Sequence, residues 1–146
     1  MNNTGEIVAV CTSNRKGIPK RPIARGTLKV NWGLDGDAHA GNWHRQVSLL
    51  AIESINKMRE KGLNVHPGSF AENITTKGIE LYTLPVGTSM RLGTALVRVT
   101  QIGKECHTKC AIYQQAGDCV MPREGIFVEI LEPGTVAAGD AVEILA

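Results

Sequence analysis

Several absences narrow what this chain can be. No stretch approaches the roughly 20 consecutive apolar residues that a membrane-spanning helix needs. The start, MNNTGEIVAV, lacks the basic region and apolar run of a secretion signal. No membrane partner is expected, and the expected location is the cytoplasm. Large net charge is missing too: +2 over 146 residues gives no reason to expect nucleic-acid binding. Linkers, true repeats and low-complexity stretches are absent, so residues 1–146 are expected to form a single domain. Acids are locally absent as well. Residues 15–29 carry Arg15, Lys16, Lys20, Arg21, Arg25 and Lys29 with no Asp or Glu among them. Such a segment can meet an anion such as a phosphate, or it can be a solvated loop.

What is present is punctuation. Sixteen glycines and six prolines divide the sequence into short segments. Several alternate with the period of two that marks half-buried strands. EIVAVCTS (6–13), ALVRVTQI (95–102), IFVEIL (126–131) and AVEIL (141–145) are expected strands, and QVSLLA (46–51) is apolar enough for a buried one. In ALVRVTQI, Val97 and Val99 should face one way, and Arg98 and Thr100 the other. LAIESINKMREKG (50–62) has helical spacing through Ile52, Ile55 and Met58, for a helix of about 11 residues. Ser48 is its candidate cap, and Gly62 suits its end. A short second helix is expected around 111–116. PVGTSMRLG and EPGTVAAG share a pattern of two glycines around a short spacer, read as a short strand returning through a glycine turn. The fold class is mainly β and barrel-like, with one longer helix and a few short ones.

Three constellations can carry chemistry. WGLDGDAHAGNWHRQVSLL (32–50) is a Gly- and Asp-rich loop bracketed by Trp32 and Trp43 and holding Asp35, Asp37, His39, His44 and Arg45. Trp can stack on a flat heterocycle, and Arg and His can bind an anion. The same residues can equally cap a turn and fill a core. HPGSFAENITTKGIEL (66–81) places Glu72 and Asn73 at a strand entrance. There an acid and an amide can read a polar ring edge or cap the turn.

The third is TQIGKECHTKC (100–110). In a reducing compartment Cys11, Cys106, Cys110 and Cys119 are read first as thiols, and a disulfide is the weaker option. Cys106, His107, Cys110 and Cys119 can be written as a zinc site, although no second pair with the usual spacing follows. Alternatively Cys106 ends a strand beside Lys104, His107 and Lys109, where positive charge favours the thiolate, opposed by Glu105. Arg123, just before a strand in MPREGIFVEI, is a candidate anion clamp or a solvated side chain.

The order of these motifs resembles the MOSC domain, named for the C-terminal domain of molybdenum cofactor sulfurases. GLDGDAHAG with RQVSLL, then PGSFAENITTKGIEL, LPVGTSMRLG, VTQIGKEC, REGIFVEIL and GTVAAGDAVEI carry the resemblance over roughly residues 5–145. The likeness is to short, stand-alone bacterial members. It implies a MOSC-type β-barrel, like the barrel of pyruvate kinase, and a role with the molybdenum cofactor (molybdopterin). By the same resemblance Cys106 is a persulfide sulfur carrier or a molybdenum ligand. Asp37, His39, Arg45, Glu72 and Asn73 fall on pocket motifs, Lys20 and Arg21 match less well but their basic segment can hold the cofactor's phosphate, and Arg123, the candidate anion clamp, is a further cofactor-binding candidate. His107, Cys110, Trp32 and Trp43 have no settled role.

The resemblance also implies partners. These are molybdopterin or its nucleotide form, and a cysteine desulfurase or molybdopterin-synthesis protein that donates sulfur or cofactor. The larger sulfurases carry a pyridoxal-phosphate domain for which 146 residues leave no room. Three functions remain in play: binding the cofactor or carrying sulfur to it, a zinc-stabilised adaptor, and a molybdenum-dependent reductase of N-hydroxylated substrates.

Overall fold

Strand β8 (Ala95–Ile102) shows how alternation builds the domain. Ala95, Val97 and Val99 are buried, and Arg98 is exposed. The computed structural model describes residues 3–103 and 120–145. Seven strands close into a barrel: β11 (Ala141–Ile144), β7 (Ser89–Leu92), β8, β9 (Ile126–Glu132), β5 (Val47–Ala51), β6 (Ile74–Lys77) and β1 (Thr4–Thr12). Closure comes from β1 pairing back onto β11, Thr4 opposite Glu143 and Glu6 opposite Ala141. Neighbours are antiparallel except β5 and β6, which run parallel. Parallel neighbours need a long connection, and here it contains helix α1 (Ile52–Glu60). The other end of β1 pairs with β2 (Arg21–Ile23), Thr12 opposite Arg21. A small second sheet joins β10 (Gly134–Val136), β3 (Gly26–Lys29) and β4 (Gly33–Leu34).

Inward residues from every barrel strand fill one apolar core, including Ile7, Val47, Leu49, Val97, Val128 and Val142. A second cluster forms under α1 from Leu50, Ile55, Met58, Phe70, Met121 and Phe127. β5 lies between the two, and all five of its residues are buried. That explains why its sequence is continuously apolar where β8 alternates. Each Leu so buried stabilises the fold by about 1.5–3 kcal/mol.

The structure corrects some local expectations. Ser48 does not cap α1. It lies within β5, and the residue before the helix is Ala51, which makes no side-chain cap. The helix has nine residues and ends in a two-bond C-terminal motif, Gly62 N–H to Arg59 O at 3.0 Å and Leu63 N–H to Met58 O at 3.3 Å. Of the two glycine-spaced strands, β7 does return onto β8. β10 instead pairs with β3, because the barrel edge beside β11 is already taken by β1 and β7. The 32–50 loop contains a two-residue strand, β4. A short helix α2 (Met121–Glu124) precedes β9. The helix expected at 111–116 falls outside the described residues.

Candidate functional site

Asp37 and Lys20 come from separate loops and meet in the interior. Both side chains are completely buried, and Lys20 Nζ lies 2.8 Å from Asp37 Oδ1. An ammonium has three hydrogens, and Lys20 places all three, on Asp37, on Ser13 Oγ at 2.9 Å and on His39 Nδ1 at 2.9 Å. Since Lys20 can only donate, His39 Nδ1 accepts and the ring proton sits on Nε2. Asp37 also accepts from Thr12 Oγ1, Ser13 N and His39 N. Burial pushes its pKa up. The hydrogen bonds from Lys20, His39 and Ser13, with the charge of Lys20, outweigh that and hold it below the ordinary aspartate value. Lys20 therefore has no donor left for a ligand. With Asp37 it fixes the loop and the orientation of His39.

Glu72 and Asn73 are likewise committed to the fold. Glu72 is fully buried and accepts from Gly68 N, Phe70 N and Thr75 Oγ1 at 2.9–3.2 Å. Burial raises its pKa despite these bonds. Gly68 has φ +92, and a Cβ there would strike the Lys20 carbonyl. Lys20 N also donates to Gly68 O at 2.8 Å, so the loop after α1 packs directly on the lysine loop. Asn73 Oδ1 accepts from Ser48 N, and its Nδ2 donates to Cys11 O, tying β5 to β1. Cys11 is buried. Burial and the charge of Glu72 push its thiol up to about 12, partly offset by Lys20, so it is not a reactive thiolate.

A pocket of about 170 Å³ opens where these loops converge. Its polar and charged lining is Lys16, His39, Arg45, Ser48 and Asn73, with Trp43, Met121, Phe127 and Ala71 as apolar walls. Trp43 Nε1 donates to His39 O at 2.9 Å, which fixes the indole. Lys16 Nζ stands 5.2 Å from the centroid of that ring. The Arg45 guanidinium lies 4.6 Å from the Trp43 ring and 5.4 Å from Phe127. Among the described residues neither cation makes a side-chain ion pair or hydrogen bond, and no carboxylate lines the pocket. Ala71 holds a left-handed φ of 62°, which is uncommon outside glycine and costs of order 1–3 kcal/mol. Such a site suits a negatively charged group beside a flat ring.

The other candidates lie elsewhere. His44 leaves the pocket and pairs through Nε2 with Gln101 Oε1 at 2.8 Å, while Gln101 Nε2 donates to Gly103 O at 2.7 Å. The Arg45 loop is thereby tied to the end of β8. Trp32 is exposed at 45% and does not line the pocket. Nor does Arg123, which is exposed on α2. Cys106, His107, Cys110 and Cys119 fall outside the described residues. Among the described residues no group of three His, Cys, Asp or Glu could hold a metal, and no helix is long and apolar enough to cross a membrane. Sequence reasoning missed Ser48, Ala71, Met121 and Phe127 as pocket walls. Lys16 was visible only as one member of a basic run.

A family model described as the MOSC domain matches residues 35–143. Among solved structures, the YuaD protein from Bacillus subtilis superimposes with a TM-score of 0.80 at 18% identity, over 97% of this chain and 95% of that one. YiiM from Escherichia coli gives 0.69 at 22%, covering 98% and 70%, and YiiM from Geobacillus stearothermophilus gives 0.70 at 18%, covering 97% and 75%. At these identities the likeness establishes the fold. No functionally curated protein matches the chain in sequence.

Proposed function

The chain belongs to the MOSC domain family, which is associated with the molybdenum cofactor, and from that premise we propose that it binds molybdopterin and carries sulfur to it. One observation supports this most. Lys16 and Arg45 flank the Trp43 ring in a pocket without a carboxylate, so two positive charges lack a protein counter-charge among the described residues. A phosphate-bearing pterin supplies what they lack, an anion for the cations and a flat ring for the indole. At about 170 Å³ the pocket holds one end of such a molecule. Enclosing a whole ligand usually takes about 300–1,000 Å³. When bound, the cofactor supplies a soft metal centre that takes thiolate or sulfide sulfur as a ligand.

The sulfur step belongs to Cys106, three residues beyond Gly103. Its thiolate attacks the terminal sulfur of a donor persulfide. A new S–S bond forms, and the donor leaves as a thiolate. A cysteine desulfurase or a molybdopterin-synthesis protein, meeting this chain in the cytoplasm, fits the donor role.

Two measurements test this. Intact mass after incubation with a cysteine desulfurase and cysteine should rise by about 32 Da, one sulfur. An adduct that persists in Cys106→Ala refutes the carrier role. Loading with molybdopterin, followed by fluorescence of the released pterin, should show retention that Arg45→Ala weakens about tenfold. Equal retention by the variant refutes the pocket.

A further inference from the structure

The pocket uses only part of the basic segment. Lys16 enters it, Lys20 is buried, and Lys29 pairs with Asp35 at 3.3 Å. Arg15 and Arg21 instead face a second, open cleft of about 740 Å³ against the β1–β2 hairpin. Its apolar lining is Ile18, Pro19, Pro22 and Ile23, and among the described residues no carboxylate lines it. Among the described residues neither arginine side chain has an ion-pair or hydrogen-bond partner.

The walls are held by the buried network. Ser13 N donates to Asp37, Ser13 Oγ accepts from Lys20 and donates to the Arg15 carbonyl at 3.0 Å, and Arg21 is registered opposite Thr12. Both guanidiniums therefore start from fixed backbone. Gly36, at φ +86 with open space where a Cβ would stand, lets a ligand approach the main chain closely. Arg15 and Lys16 are sequence neighbours lining different pockets, so this short turn is a wall common to both.

We propose that this cleft is a nucleoside-phosphate site. Arg15 and Arg21 take the phosphate through paired N–H donors, and the Ile and Pro side chains lining the cleft take the nucleoside. The volume lies within the usual range for small-molecule sites, about 300–1,000 Å³. Two sources share this chemistry, a free nucleotide and the nucleotide half of the cofactor's dinucleotide form. The inference goes beyond the cofactor reading and stands without it.

The test is fluorescence anisotropy with mant-GDP and mant-CDP on the full chain, competed by GMP, CMP, pyrophosphate and the cofactor's mononucleotide and dinucleotide forms. Saturable binding is expected. The Arg15→Ala, Arg21→Ala double variant should weaken it at least about 30-fold, while Arg45→Ala leaves it within about twofold. Circular dichroism checks that the variants fold, and single Arg→Lys variants retain the charge if the double variant does not. No saturation at about 1 mM, or undiminished binding to the double variant, overturns the site. Pyrophosphate competing as well as GMP overturns the nucleoside part. Competition by the dinucleotide form names the cofactor as the source, and competition by free nucleotides alone names the free pool. Either result supports the site. The cofactor reading fails separately, if Arg45→Ala does not change pterin retention.

Discussion

Lys16 and Lys20 lie four residues apart in one basic run, yet they end in opposite surroundings. Lys20 is 1% exposed and gives all three hydrogens to Asp37, Ser13 and His39. Lys16 is exposed, lines the edge of a pocket and, among the described residues, meets the face of Trp43 without an ion-pair partner. A charge that is buried and fully paired holds structure, and removing its partner is costly. A charge left without a counter-ion beside an aromatic face is available to a ligand. Residue type and position in the run do not separate them. The closing of β1, β2 and the 35–39 loop around one of them does.

The largest expected effect breaks that contrast. Lys20→Met leaves Asp37 buried without its cation and should cost about 3–5 kcal/mol in urea unfolding, while Lys16→Met should stay within about 0.5 kcal/mol. Similar losses for the two would show that both are structural. Next comes Arg45→Ala, which should lose about 1.4 kcal/mol of pterin affinity and no more than about 1–2 kcal/mol of stability from two ring contacts. Arg45→Lys keeps the charge but not the planar stack, so it should recover only part of the affinity.

Smaller effects come from the two buried acids. Asp37 is held below its ordinary value of 3.8, so its stabilising contribution is complete above that pH and is lost as pH falls through its lower folded value. Glu72 is raised above 4.5, so its contribution is present below 4.5 and is lost as pH rises through its folded value. Carboxyl-detected NMR should therefore find Asp37 titrating below 3.8 and Glu72 above 4.5. The reverse order would mean that Lys20 does not hold Asp37 in solution. Smallest of all is Cys11. With its thiol near 12, iodoacetamide at pH 8 should leave it unmodified in the native protein, and mapping the alkylated peptides checks this.

Much of the barrel was legible. Alternation in 95–102, 126–131 and 141–145 marked strands that the structure contains, because one wall of each faces the core. The helix was legible for the same reason, through Ile55 and Met58. Ser48 was misread, because a serine before a helical pattern looks like a cap when its strand partners are unknown. In the fold its hydroxyl meets Asn73 from a segment 25 residues away. Of the loop candidates, Arg45, His39 and Trp43 line one pocket. Asp37, Glu72 and Lys20 are buried and hydrogen-bonded beside it, and Trp32 and Arg123 do not line it. A candidate carboxylate in a loop looks the same in sequence whether its acceptors are used by backbone amides or left for a ligand.

The sequence by itself determined the strand alternation, the helix after residue 51, the glycine turns and the family, since each is written in short spans or in the order of motifs. Only the tertiary structure decided which lysine is buried, which acids are already occupied, and that residues 16, 43, 45 and 127 share one pocket. The reason is physical. Periodicity depends on neighbours a few positions away, whereas burial of a charge depends on partners that the closed barrel brings together from loops far apart in the chain.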